Sequence, residues 1–261
     1  MAQPLDFCVF SVLVTGSNRG IGLGLVKRFL ELPSPPIWVF ATTRDLEGEK
    51  TKELREMVCR YPNLVVLQLD VTKPESIQAA QKEVEKCVGE GGLTLLYNNA
   101  GIWIFNDLQT ENAKDTMRVY SVNTIGPLLM SQAFLPLLKK AARRSPCQGL
   151  STSKAAIINM SSIGGSIELL PSWHQHPMLG YRCSKVPHEF SMWTCLRVVG
   201  PPFPSMRASV HASVSLNMHI NPLLRCNPVW CPSSGSAMML YCCRLCSSTS
   251  SFPNLDADVL H

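Results

Sequence analysis

The sequence predicts an α/β fold: a doubly wound, mostly parallel sheet in a single domain of three layers. Three observations carry that expectation. Short apolar runs alternate along the chain with longer amphipathic segments. The short runs are continuously apolar, as in strands covered on both faces by crossover helices. A cluster of glycines falls where the first apolar run gives way to the first amphipathic segment.

Taken in order, Val9–Thr15 reads as a buried strand and Ile21–Leu30 as a helix. Pro36–Thr42 holds a second strand, centred on Ile37–Ala41. Residues 46–59 have a helical apolar face at Leu54, Met57 and Val58, and Leu64–Leu69 is a third strand. Thr72 and Glu75 around Pro74 match a capping box. The helix after it aligns Ile77, Ala80, Val84, Cys87 and Val88 at a 3.6-residue period. Leu93–Tyr97 is a fourth strand, Ala113–Ala142 a long helix with an irregularity at Gly126-Pro127, and Ala155–Met160 a fifth strand. Beyond these, Ala208–Met218 is the only candidate for a sixth.

Charge divides the chain of 261 residues into two pieces. Only seven of its Asp, Glu, Lys and Arg residues lie in 186–261, and none is a lysine. That tail also holds six of the eleven cysteines and eight of the nineteen prolines. The expected organisation is a dinucleotide-binding and catalytic core at 1–185 and an atypical C-terminal part of the same domain at 186–261. Two accounts of the tail stay open: a divergent but folded substrate region, or the product of altered splicing or a shifted reading frame, poorly ordered.

Several function classes drop out. Basic residues of the core are scattered among acids; the densest group, Lys139, Lys140, Arg143 and Arg144, suits a helix C-terminus. Nucleic-acid binding is therefore not expected. The apolar run Phe7–Val14 is far short of the roughly 20 residues a membrane span needs, and it lacks a basic leader. The expectation is a cytoplasmic protein without membrane contact, most of its cysteines free thiols. No metal is expected. Cys226, Cys231, Cys242, Cys243 and Cys246 form no two clean Cys-x-x-Cys arms, and no carboxylate or cysteine completes a site with His174 and His176.

The sharpest local feature is Thr15-Gly16-Ser17-Asn18-Arg19-Gly20-Ile21-Gly22, directly after the first strand and opening the first helix. Glycines at such a junction let the backbone approach a pyrophosphate, and the helix end supplies free N–H groups. No Lys-Ser/Thr follows the last glycine, so this is not a triphosphate loop. Further on, Tyr181-Arg182-Cys183-Ser184-Lys185 puts a phenol and an ammonium four residues apart, on one face of a helix. An ammonium beside a phenol is expected to lower its pKa from near 10.

The glycine spacing resembles the short-chain dehydrogenase/reductase family, whose fold is Rossmann-like, and the resemblance continues along the chain. It is closest in kind to the sniffer and C-factor-like carbonyl reductase branch, through the runs at 67–72, 126–138 and 161–167. The resemblance implies that Asp70, followed by Val71, binds the adenine amino group. It implies that Asn98-Asn99-Ala100-Gly101 lines the cofactor cleft, with Asn98 structural. Ser162 would hydrogen-bond the substrate oxygen, Ser161 being the competing choice. Asn123 would hold a water relay to Lys185. Lys185 would bind the nicotinamide ribose, and Tyr181 would give a proton to a carbonyl oxygen.

Cofactor choice turns on the end of the second strand. Its last positions carry no acid to hold a ribose 2′-hydroxyl, and Arg44 stands where NADPH-preferring members of the family keep an arginine. Arg19 offers a second guanidinium, and such forks suit a phosphate. Asp45 is the dissenting residue, free to pair with Arg44. NADP(H) is the expected cofactor, NAD(H) the alternative.

Ser162 and Tyr181 are 19 positions apart, more than in many members of the family. The extra stretch, with Trp173, His174 and His176, is read as a loop on the substrate side, and Trp103, Ile104 and Phe105 as another wall. After Lys185 the resemblance stops: Pro187 threatens the helix, and no Pro-Gly turn follows Ala208–Met218. Two functions therefore stand. One is NADPH-dependent reduction of a small ketone or aldehyde, by a protein able to form homodimers through the 113–142 helix and the helix beginning at Tyr181. The other is a catalytically impaired NADP(H)-binding protein with a structural or regulatory role.

Overall fold

The computed structural model describes residues 9–145, 154–165 and 177–186, and the backbone of a strand at Leu240–Cys242. Strands β1 (Ser11–Val14), β2 (Trp38–Thr43), β3 (Leu64–Gln68), β4 (Leu95–Asn98) and β5 (Ala156–Met160) form one parallel sheet in the order β3-β2-β1-β4-β5. Strand β6 (Leu240–Cys242) extends it antiparallel to β5, with Met160 opposite Leu240. The helices are α1 (Gly20–Leu30), α2 (Lys52–Val58), α3 (Pro74–Val88), α4 (Ala113–Tyr120), α5 (Gly126–Arg144) and α6 (Leu179–Lys185). This is the doubly wound, Rossmann-like order, in which the strand sequence reverses beside β1.

Alternation along each strand feeds two apolar layers. Val12, Val14, Val39 and Ala41 face one way and are buried with Leu23 and Val26 of α1 and Leu54 of α2. Leu13, Phe40 and Leu96 face the other way, with Ile77 and Val84 of α3 and Met130, Phe134 and Leu137 of α5. Covering both faces explains why the strands read as continuous apolar runs. The C-terminal ends of β1 and β4 then open beside one another, where the strand order reverses.

Local corrections have physical causes. The capping box at Thr72 does not form: Lys73 takes the N-cap position of α3 without a side-chain cap. Thr72 donates its hydroxyl to Asp70 Oδ1 at 2.7 Å, a nearer and charged acceptor. The helix expected over 46–59 starts late, as a 3-10 turn at Glu49–Thr51 followed by α2. Asp45 is responsible, since its Oδ1 accepts the N–H groups of Glu47 and Gly48 and folds that stretch into a turn. Between α4 and α5 the long helix passes through a π turn at Ser121–Ile125, immediately before Gly126-Pro127. Helix α6 begins at Leu179, two residues before Tyr181, and ends at Lys185.

The stretch Ala208–Met218 falls outside the described residues, as do His174, His176 and Trp173, but β6 at Leu240–Cys242 corrects its reading as the only candidate for a sixth strand: the open edge of β5 is paired by a later segment of the tail. Among the described residues Cys59, Cys87 and Cys183 are free thiols, and no helix is long and apolar enough to cross a membrane.

Candidate active site

The glycine turn is built by β1 and held from two neighbours. Gly16 has φ +66 and Gly20 φ +54, both in the left-handed region that side chains avoid. A Cβ on Gly22 would stand 2.3 Å from the Gly16 carbonyl oxygen, so the start of α1 closes on its own loop only with glycine there. Ser17 donates its hydroxyl to Val14 O at 2.7 Å and receives the Thr42 N–H at 3.3 Å, tying the turn to the end of β2. Arg19 and Gly20 are exposed, as is Ile21, while Asn18 is half-buried. No side chain caps α1. The N–H groups of its first turn are left to point out of the helix end.

On the other side stands the Asn-Asn-Ala-Gly segment. The Thr15 hydroxyl accepts the N–H groups of Asn99 at 3.0 Å and Ala100 at 2.9 Å. In return Asn99 donates its side-chain amide to the carbonyls of Thr15 (2.9 Å) and Gly16 (3.2 Å). Thr15 is thus a hub that the sequence reading passed over. Its only signal was a hydroxyl-bearing, β-branched residue at the strand end. Asn98 points into the sheet instead, donating to Asn159 Oδ1 at 2.8 Å. Gly101 is exposed, and a Cβ there would lie 3.9 Å from Lys185 Nζ, so the two halves of the site meet at this residue.

Asp70 and Val71 follow β3. Val71 is buried against the first residue of α5, where a Cβ on Gly126 would come within 2.9 Å of it. Burial pushes the Asp70 carboxyl up, but hydrogen bonds from Thr72 and the charges of Arg44 and Lys73 together hold it below its ordinary value. Arg44 is exposed at the end of β2. Asp45 is turned to the backbone of Glu47 and Gly48, whose N–H groups its Oδ1 accepts.

The structure brings Asn123, Ser162, Tyr181 and Lys185 together from three elements. Asn123 sits in the π turn, fully buried. Its Oδ1 accepts the Ile102 N–H at 2.9 Å, and its amide donates to Ile102 O at 2.8 Å and to Ser184 Oγ at 3.0 Å. Both amide hydrogens and one lone pair are used, which pins α6 to the loop after β4. Ser184 donates in turn to Tyr181 O at 2.6 Å, and Thr124 donates to Ser184 O at 2.9 Å. Neither Ser184 nor Thr124 was singled out in the sequence, because their partners lie some 60 residues away.

Ser162, just beyond β5, shares a hydrogen bond with the Tyr181 hydroxyl and accepts the Gly164 N–H at 3.1 Å. Ser161 is buried beside it. Lys185 is 6% exposed; it donates to Met160 O at 2.8 Å, with its ammonium 5.6 Å from the centre of the Tyr181 ring. Burial pushes that ammonium down to about 8. The phenol differs from expectation: burial pushes it up, and only the Ser162 hydrogen bond opposes this. The ammonium is directed to a backbone carbonyl, so desolvation governs the phenol. Trp103 and Phe105 are exposed, packed edge to face at 5.3 Å, beyond Gly101.

A doubly wound sheet with a glycine turn at the strand-order reversal and a Tyr-x-x-x-Lys helix beside it defines a class of nicotinamide-dependent oxidoreductase folds. The chain belongs to the short chain dehydrogenase family, whose model matches residues 11–185. Among solved structures it is similar to NADPH-bound carbonyl reductase from chicken fatty liver, at 50% identity and a TM-score of 0.72, over 75% of this chain and 73% of that one. It is also similar to carbonyl reductase Sniffer of D. melanogaster, at 35% identity and a TM-score of 0.68, over 73% and 75%. Among curated proteins it is 37% identical over 163 residues to estradiol 17-beta-dehydrogenase 2 of Mus musculus, which is 61% of this chain and 38% of that protein. The chain thus spans well under half the length of that dehydrogenase.

Proposed function

We propose that the protein is an NADPH-dependent carbonyl reductase that converts a small ketone or aldehyde to the alcohol. The observation that carries this reading is the Ser162–Tyr181 hydrogen bond, with the buried Lys185 ammonium one helical turn beyond the phenol. Its likeness to two carbonyl reductases supports the same substrate class.

The residues present fit the cofactor. An ideal Cβ on Gly20 would meet nothing within 4 Å, so the turn offers bare backbone at a helix N-terminus, where a pyrophosphate is stabilised. Gly16, Ser17, Asn18, Arg19, Gly20, Ile21 and Gly22 would hold the diphosphate. Asp70 and Val71 would hold the adenine, and Asn99, Ala100 and Gly101 would line the cleft towards the nicotinamide. Arg44, with Arg19, would take a 2′-phosphate; Asp45, the acid next to Arg44, turns its Oδ1 to the backbone of Glu47 and Gly48. The cofactor, when bound, supplies the hydride.

The chain's own residues manage the proton. With its pKa raised, Tyr181 keeps its proton at neutral pH and gives it to the carbonyl oxygen as negative charge develops there. Ser162, oriented by the Gly164 N–H, donates to the same oxygen and holds it beside the phenol. Lys185 remains cationic below about pH 8. Of its three donors one is committed to Met160 O, leaving two for the ribose hydroxyls. Asn123 fixes α6 through Ser184 and would hold the water relay to Lys185. A homodimer and a cytoplasmic location complete the proposal; exposed Met117 of α4, Ile125 of the π turn and Leu128 of α5 give a second copy apolar side chains to cover.

The test is NADPH oxidation by purified protein over a panel of carbonyl compounds, with Tyr181→Phe as control. Turnover abolished by that substitution supports the reductase. Tight NADPH binding without turnover on any compound overturns it in favour of the impaired cofactor-binding protein.

A further inference from the structure

We propose that Glu111 is a positioning residue for the reaction, fixing where the Tyr181 helix begins. The proposal rests on the carbonyl reductase reading of the site. Helix α6 has seven residues, about two turns. Helices that short are not stable alone, so what holds the ends decides where Tyr181 and Lys185 stand. At the C-terminal end Asn123 and Thr124 grip Ser184, as described above. The N-terminal end lacks a cap of its own. Met178, at the N-cap position, is left-handed with φ 30, and its side chain makes no capping bond.

The missing cap comes from far along the chain. Gly180 donates its N–H to Glu111 Oε2 at 2.9 Å, across 69 residues. Leu179 donates its N–H to Asn106 O at 3.1 Å. The carboxylate is itself held: Glu111 Oε1 accepts the Asn112 N–H at 3.1 Å and the Asn106 side-chain amide at 3.4 Å. Asn106 also donates to Asp115 Oδ2 at 3.1 Å, which anchors the group to α4. A carboxylate here both satisfies an orphan N–H and complements the positive end of the helix.

The fit depends on glycine at the contact. A Cβ on Gly180 would fall 2.9 Å from Glu111 Oε2 and 3.6 Å from Thr116 Cα. Gly180 immediately precedes Tyr181, so a displaced cap moves the phenol relative to Ser162, which belongs to a different element. Displacements of about 1 Å in a reacting group are enough to slow a reaction about 100-fold.

Three variants test the contact from both sides: Glu111→Ala, Glu111→Gln and Gly180→Ala. Glu111→Ala is expected to lower kcat about 10- to 100-fold while leaving the Kd for NADPH within about twofold, because the glycine turn, Arg44 and Asp70 are untouched and the Lys185 end of α6 keeps its own anchors at Asn123, Thr124 and Met160 O. Glu111→Gln, which keeps an oxygen acceptor for the Gly180 N–H, is expected to recover part of the loss. Gly180→Ala acts on the same contact, so the double variant with Glu111→Ala is expected to be less than additive. Amide hydrogen exchange should quicken at 179–185 in Glu111→Ala and stay unchanged over 64–98, which separates loss of position from loss of fold. An active wild type matched by Glu111→Ala in kcat and in exchange at 179–185 overturns this proposal alone. A wild type inert to every carbonyl compound overturns the reductase reading, and this proposal with it.

Discussion

The two halves of the site are held in different ways. Around the glycine turn, each contact is made at a strand end: Ser17 to β1 and β2, Thr15 to the segment after β4, Asn99 back to the turn. Those strands are locked by the sheet, so the cofactor half is as rigid as the core beneath it. The catalytic half rests on a seven-residue helix, which Lys185 ties to the end of β5 by donating to Met160 O. Its position comes from Glu111, Asn123 and Thr124, which hold its Gly180 and Ser184 from a loop and a π turn. Cofactor grip and proton delivery therefore rest largely on different contacts, with Lys185 shared between them. A substitution can spoil one and spare the other.

The largest expected effect removes the phenol's proton. Tyr181→Phe should lower kcat about 10²- to 10⁴-fold, the usual worth of a general acid, with little change in NADPH affinity by fluorescence titration. A parallel collapse of affinity would contradict the separation of the halves. Thr15→Val makes the opposite cut. It keeps the shape of the side chain but strands the N–H groups of Asn99 and Ala100. About 2 kcal/mol of stability in urea unfolding should go, and NADPH binding with it.

A finer test is Arg44→Ala. Loss of one charge-assisted contact to a 2′-phosphate should raise the KM for NADPH about tenfold and leave that for NADH nearly unchanged. Equal shifts for both cofactors would argue against the role given to Arg44. The smallest effect is set by pH. Lys185 loses its charge as pH rises through about 8, so NADPH affinity should weaken between pH 7 and 9, and Lys185→Met should flatten the profile. Folding responds with the opposite sign. The unfolded chain keeps this proton up to the ordinary value of 10.5, so the cost of burying the cation is full below about pH 8 and is relieved as pH climbs towards 10.5.

What the residues announce in advance is what repeats or sits close together. Five strands were legible because burial on both faces makes each a solid apolar run, and the glycine turn because its spacing falls at a strand–helix junction. Tyr181 and Lys185 were legible because one helical turn relates them. The Thr72 box failed on a local competition. A threonine hydroxyl two residues from a carboxylate prefers that charge to a backbone amide, and the pattern alone does not rank the two. Thr15, Ser184 and Glu111 were invisible for another reason. Their partners are 60 or more residues away, and only the packed fold makes them neighbours.

The π turn at Ser121–Ile125 has an arithmetic of its own. Each residue of a helix adds about 100° of rotation and 1.5 Å of rise. A π turn is what remains when one residue too many is fitted into an otherwise regular helix. Deleting one residue there would let α4 and α5 fuse into a single unbroken rod with a full hydrogen-bond ladder. That rod would turn everything before the deletion by about 100° against everything after it. Asn123 could no longer face Ile102 and Ser184 together while Phe134 and Leu137 stayed in the core. The irregularity is a phase shift between two faces of one helix, one facing the sheet and the other the reaction.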